Sequence, residues 1–243
     1  MKLFKASLGV LMLGALALTP LNSGAEISKK PKILLHIKSV VSKAACSIPA
    51  GLGGLCANAD ITGDLNQPYH MLVLVDLGDS MRIIVSTNPQ YGLAGLQFGI
   101  SYPGSFDPIG NGSMINVFSW THCGGLEFPM PNPVWPAPGG GNLIIWDPVN
   151  ACQRSLAAAG YFYLTAYAAG TFQITPRPAE MLAKIGSCDQ DETILSPADL
   201  GSVHFSAGGG ASAMACNPCI RRCVDDPVAV APTTWSKVKT LLN

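Results

Sequence analysis

Three cysteines fall within eight residues in "CNPCIRRC", Cys216 to Cys223. Cysteines spaced this way can hold zinc as thiolates, cycle as a dithiol, or form disulfides. A zinc knuckle needs a fourth ligand and usually a second knuckle. The remaining candidates are Cys188 and the four histidines His36, His70, His122 and His204, and no second C-x-x-C is present. A redox dithiol needs its first cysteine activated, typically at a helix start, and "GGGASAMA" precedes this one. The disulfide reading uses all eight cysteines: Cys46, Cys56, Cys123, Cys152, Cys188, Cys216, Cys219 and Cys223. An even number in an exported chain points to a covalent framework. Cys46 and Cys56 flank a glycine-bearing loop and are expected to pair. Cys123 and Cys152 end two candidate strands and are expected to fasten the base of the loop between them. Pairing among the last four is open from sequence. Cys219 is the favoured partner of Cys188, which leaves Cys216 and Cys223 to close a small ring.

Catalytic patterns are sparse. There is no G-x-S-x-G elbow, no H-E-x-x-H and no glycine-rich loop leading a helix. His122 and Cys123 are neighbours on a candidate strand and point to opposite faces. The acids of "DLGD" and "CDQDE" lack the spacing of a calcium loop and read as turn residues. No catalytic residue, metal or cofactor is expected, and the chain is not read as an enzyme. Aromatic residues give the remaining chemical hint. Trp135 lies in a proline-rich loop, either as a plug or as a ligand contact. Tyr161, Tyr163 and Tyr167 read as one face of a strand, able to stack on sugars or to be buried between sheets.

The elements that must position these residues are mostly strands. "KILLHIKSVV", "YHMLVLVDL", "MRIIVST", "GLQFGISY", "INVFSWTHC", "NLIIWD", "GYFYLTAYA", "TFQITP" and "SVHFSA" make about nine, parted by Gly, Pro, Asn and Asp. In "GLQFGISY", Leu96, Phe98 and Ile100 alternate with Gln97, Gly99 and Ser101, so the polar side is expected to face solvent. His204 is expected to face solvent for the same reason. Helices are expected only at "PAEMLAKIG" and in the C-terminal "TTWSKVKTLLN". "EFPMPNPVWPAPGGGN", Glu127 to Asn142, is a long loop joining two core strands. Many short strands without helical crossovers give an all-β fold: an antiparallel, Ig-like β-sandwich stapled by disulfides, with a short C-terminal helix.

The ends and the composition bound the setting. Lys2 and Lys5, the apolar run Ala6 to Leu18, Pro20 and the small residues Ser23 and Ala25 read as a cleaved signal peptide, residues 1–25. The run is shorter than the roughly 18 residues that a transmembrane helix needs, so no span is expected after the leader is removed. The expected location is secreted, at the cell surface or in the periplasm. Residues 26–212 would form the sandwich and 213–243 a cysteine-pinned tail. Without the leader's two lysines, 13 basic face 15 acidic side chains. That balance offers no basic field to nucleic acid.

"LAGLQFGISYP", Leu93 to Pro103, resembles the signature strand of cohesin-type modules, in which glycine precedes an alternating strand ending in Tyr-Asp-Pro. "AAGYFYLTAYA" is similar to their later glycine-led strand, and "LGSVHFSAGG" to a closing strand. The resemblance spans roughly Leu72 to Gly208. Here Pro103 stands where the acid would follow Tyr102, and cohesins are not built on four cysteine pairs. The resemblance therefore implies a cohesin-like sandwich and leaves dockerin binding open. "SWTHCGGLEFP", "GGGNLIIWD", "ITPRP" and "CNPC", in this order, also resemble a group of secreted bacterial proteins, which implies architecture only. The functional expectation is a non-catalytic binding or structural module outside the bacterial cell. Its partner would be another extracellular protein, with the Glu127–Asn142 loop and an exposed sheet face as contact surfaces. The alternative is carbohydrate binding on Tyr161, Tyr163 and Tyr167 or on Trp135.

Overall fold

The computed structural model describes residues 30–41, 46–53, 55–78, 92–110, 112–149, 151–153, 156–210 and 213–223. The leader, the strand expected at Met81–Thr87 and the C-terminal helix lie outside them.

Unbroken apolar runs in "KILLHIK" and "MLVLV" call for strands covered on both faces. They form β1 (Lys32–Ser39) and β3 (Pro68–Asp76), paired antiparallel with Ile33 opposite Val75 and Leu35 opposite Val73. β9 (Ala157–Ala166) lies beside β3, followed by β6 (Ile115–His122) and the short β5 (Gly104–Phe106), which completes a five-stranded sheet. Gly160 of β9 sits where an added Cβ would collide with the Trp120 ring of β6, so glycine admits the indole to the core.

The larger sheet centres on β4 (Leu93–Ser101). One edge of β4 carries β8 (Gly141–Ile145), itself paired with β7 (Leu126–Glu127). Along the other edge, β10 (Gly170–Thr175) pairs with Gly99–Ser101, and β11 (Ala183–Ser187) with Leu93–Gln97. β12 (Glu192–Leu195) extends past β11, and β13 (Ser202–Phe205) with β2 (Thr62–Gly63) past β10. Leu35, Val73 and Phe162 from one sheet meet Phe98, Phe172 and Phe205 from the other in the main core.

The β-sandwich of the sequence reading is present, with thirteen strands among the described residues. The extra ones are two to five residues long and carry too little pattern to announce themselves. Two pairings, β5 with β6 and β2 with β13, are parallel, so the sheets are mixed. "PAEMLAKIG" is not a helix. Arg177 NH bonds the Leu182 carbonyl, Met181 takes a positive φ of 56°, and the chain re-enters the sheet as β11. The turn carries the chain from β10 to β11 along one edge of β4. Gln97 is buried rather than solvated, its Nε2 donating to the Leu182 carbonyl at 3.1 Å. His204 is also buried, 2.9 Å from the Thr171 hydroxyl.

A second, smaller core explains why β1 and β3 are apolar on both faces. Leu34, Leu72 and Leu74 on the outside of the five-stranded sheet pack against Ile48 and Leu52 from a cap formed by residues 46–59. The tail segment 213–223 joins this cap. Asn217 donates to the Cys56 carbonyl at 2.9 Å, and Ser202 and Cys216 exchange backbone bonds.

Candidate functional site

All eight cysteines are in disulfides: Cys46–Cys123, Cys56–Cys219, Cys152–Cys188 and Cys216–Cys223. Only the last pair matches the sequence expectation. Cys46 and Cys56 do not pair because the cap between them crosses the sheet. One end staples to Cys123 after β6, the other to Cys219 in the tail. Cys123 and Cys152 belong to different sheets. Cys152 lies beside Gly92 at the start of β4, where the Cys188 amide donates to the Gly92 carbonyl, so these two join. Cys219 meets Cys56 of the cap over the five-stranded sheet, whereas Cys188 directly follows β11 of the larger sheet. The sulfurs of "CNPCIRRC" are thus committed to bridges, which leaves this segment no thiolate for a metal or for dithiol exchange. The buried Asp76 lies against the Cys56–Cys219 bridge.

The Pro/Gly loop is a clasp. Phe128 and Met130 extend the β7–β8 ladder, and the tip folds back over the end of the sandwich. Tyr102 OH donates to the Pro136 carbonyl at 2.9 Å, and the Gly139 amide to Ile100 at 2.9 Å. Burial pushes the Tyr102 hydroxyl's pKa far above its ordinary value. That tyrosine ends the strand carrying the cohesin resemblance, and its ring stacks on Phe172 with centroids 4.7 Å apart. Trp135 is the plug of the two readings offered. Its ring is buried and meets Trp120 at 5.2 Å, Phe98 at 5.5 Å and Phe162 at 5.7 Å, all edge-on or tilted. Glu127 locks the clasp from within. One carboxylate oxygen accepts from Trp120 Nε1 at 3.0 Å and from the fully buried Asn142 at 2.8 Å.

The three tyrosines do not form a platform. Tyr167 lies beyond the end of β9. Tyr161 is buried against the cap, and Tyr163 is half-buried on Phe118. Between Tyr161 and Tyr163 the His70 ring approaches both, at 4.9 and 5.9 Å. Together with Val40, Val41, Ser119 and Thr121 they line an open groove of about 470 Å³ on the five-stranded sheet.

The larger sheet presents another surface, which the sequence reading named only as an exposed face. Side chains alternate across a sheet, so the register defines two rows on its outside. One runs Ile194, Lys184, Gln97, Leu143 and Phe128; the next runs Glu192, Gly186, Gly95, Ile145 and Leu126. The central glycine pair leaves the floor without side chains. Leu126, Phe128 and Ile194 at its margins are 61%, 49% and 62% exposed. Lys184 and Glu192 pair at 2.9 Å, so the nearest charges cancel. In "GNLIIWD", Leu143 and Ile145 alternate with the buried Asn142 and Ile144. That alternation was the available signal, hidden because four consecutive apolar residues read as core.

No protein-family model matches the chain, and no curated protein matches it. Solved structures similar to it include a cohesin module of a family 33 glycoside hydrolase from Clostridium perfringens. The identity is 10%, the coverage 73% of this chain and 98% of that one, and the TM-score 0.41. Another is the sixth cohesin of the Acetivibrio cellulolyticus scaffoldin B, solved in complex with a dockerin. There the identity is 8%, the coverage 72% and 99%, and the TM-score 0.38.

Proposed function

We propose that this chain is an exported, non-catalytic module that binds another extracellular protein through the outer face of its larger sheet. The observation that carries this reading is the set of Leu126, Phe128, Leu143, Ile145 and Ile194 around the Gly95–Gly186 floor. Large apolar side chains gathered on a flat, regular surface are what a protein partner can desolvate. Sheet hydrogen bonding holds the floor fixed before binding, which limits the ordering cost of association. Four disulfides support the extracellular setting, since such bridges persist where no thiol pool reduces them.

The test separates binding from folding. Leu126→Asp and Ile194→Asp place charges on exposed positions and should leave the unfolding free energy within about 0.5 kcal/mol of wild type in urea titrations. Partner capture from the exported fraction of the producing cells should fall at least ten-fold in the double variant. Undiminished capture by a folded double variant would refute this face as the contact.

A further inference from the structure

The groove on the five-stranded sheet lies on the opposite side of the sandwich and takes no part in the proposed protein contact. Its walls are uneven in chemistry. Val40 and Val41, 39% and 84% exposed, stand on one side. Ser119 and Thr121 on β6 are exposed and two residues apart, so they share a face with backbone positions about 6.6 Å apart. Tyr163 is the register partner of His70 on β3 and of Ser119 on β6, and its ring meets those of His70 and Phe118.

His70 is the unusual member. The side chain is 5% exposed, and its Nδ1 has no hydrogen-bond partner. Its ring is held on its flanks by Tyr161 and Tyr163. Burial and the nearby Lys38 lower its pKa, so at neutral pH the ring is uncharged. A neutral imidazole has one donor and one acceptor. A buried nitrogen left unpaired is costly, and a ligand that supplies its partner removes that cost.

The lining side chains carry no charge at neutral pH, and Lys38, opposite His70 in the β1–β3 register, lies outside the lining, so the groove itself suits a ligand without a charge. Such a ligand must also carry several hydroxyls at one edge and an apolar face at the other, to match the Ser119, Thr121 and His70 groups beside the Tyr163 ring. We propose that this groove binds a neutral saccharide, one pyranose ring stacking on Tyr163 while its hydroxyls pair with Ser119, Thr121 and His70. The aromatic rings are mutually tilted, by 58° for His70 on Tyr161 and 72° for His70 on Tyr163. They form a trough that receives a single soluble chain, not a plane that lies flat on an insoluble polysaccharide.

The experiment titrates the full disulfide-bonded chain with neutral hexose oligosaccharides: hexamers of β-1,4-glucose, β-1,4-mannose and β-1,4-galactose. A proline-rich decapeptide and an insoluble glucan serve as competing probes, with amide NMR shifts and calorimetry as readouts. The expected result is saturable binding of at least one hexamer, with shifts centred on Tyr163, Ser119 and Thr121. Tyr163→Ala should weaken it about ten-fold, equivalent to ~1.4 kcal/mol, and Tyr163→Phe should retain it. Thr121→Trp fills the groove from an exposed position and should abolish binding in a chain that keeps its native spectrum, which decides the matter if Tyr163→Ala fails to fold. Leu126→Asp should leave binding unchanged, so this site and the protein-binding face fail or stand separately. Binding of none of the hexamers, binding only of the decapeptide or the insoluble glucan, or undiminished affinity in Thr121→Trp would overturn the proposal.

Discussion

Trp135 shows how a residue that looks like a ligand contact becomes a structural one. Tryptophan in a loop of five prolines has no strand to assign it a face, so its sequence neighbours leave plug and contact equally open. The clasp decides, because bonds from Tyr102 and Gly139 pull the tip inward and seat the indole among Trp120, Phe98 and Phe162. Trp135→Ala should therefore cost about 3 to 5 kcal/mol, the range for emptying a large aromatic site. Equilibrium denaturation of the oxidised chain measures it. A loss below about 1 kcal/mol would mean that the indole is not part of the core.

Elements explain which parts of the sequence were legible. Strands β1, β3, β4, β6 and β9 carry five or more residues of clear pattern and were visible in it. The turn after β10 was not. "PAEMLAKIG" has helical spacing, yet Pro178 and the pairing available along β4 favour a turn and a strand, and tertiary pairing outweighs local propensity. The cap was invisible for a related reason: residues 46–59 contain only short 3-10 turns, and their apolar residues acquire meaning only beside Leu34, Leu72 and Leu74. One legible clue went unused, since strands apolar on both faces already required a third layer.

The cap also governs the response to pH. His36 on β1 is buried, and its Nδ1 accepts the Asp60 amide at 2.9 Å, which fixes the cap's exit to the sheet edge. Burial lowers its pKa, Asp60 opposes this in part, and Lys38 lowers it a little further. A lowered histidine pKa means that the unfolded chain binds the proton more readily. This contribution to stability is thus complete above the unfolded value of about 6.5 and is lost as pH falls below it. Urea midpoints at pH 7.5 and 5.0 should show the decline, and His36→Asn should reduce it. A pH dependence identical in His36→Asn and wild type would show that the cap's exit does not depend on this neutral ring.

At the scale of the molecule, the disulfides tie together parts that are distant in sequence. Cys56–Cys219 spans 163 residues and Cys46–Cys123 spans 77. Such connectivity is not readable from spacing, because each bridge follows from which sheet a cysteine's strand joins. Bridges over long loops restrict the unfolded chain and typically stabilise by about 2 to 4 kcal/mol. Replacing Cys56 and Cys219 together by alanine should lower stability by that order and open the cap to protease within residues 46–59. The main core between the sheets should stay protected from amide exchange. Loss of protection throughout the sandwich would show that cap and core fold as one unit. Peptide mapping of the oxidised chain should recover the four pairs described, and a Cys188–Cys219 peptide would contradict the topology of the tail.

The molecule divides into a sandwich, a stapled cap on one sheet and an open apolar face on the other. In the proposed function, the open face meets a protein partner. The most direct measurement places a photo-crosslinking residue at Leu126, Phe128 or Ile194 on that face, and at Ile109 or Val149 as exposed positions elsewhere, in chains exported by the producing cells. One discrete adduct should be shared by the three positions on the face and be absent from the other two. Adducts at Ile109 and Val149 but none at Leu126, Phe128 and Ile194 would contradict the proposed function.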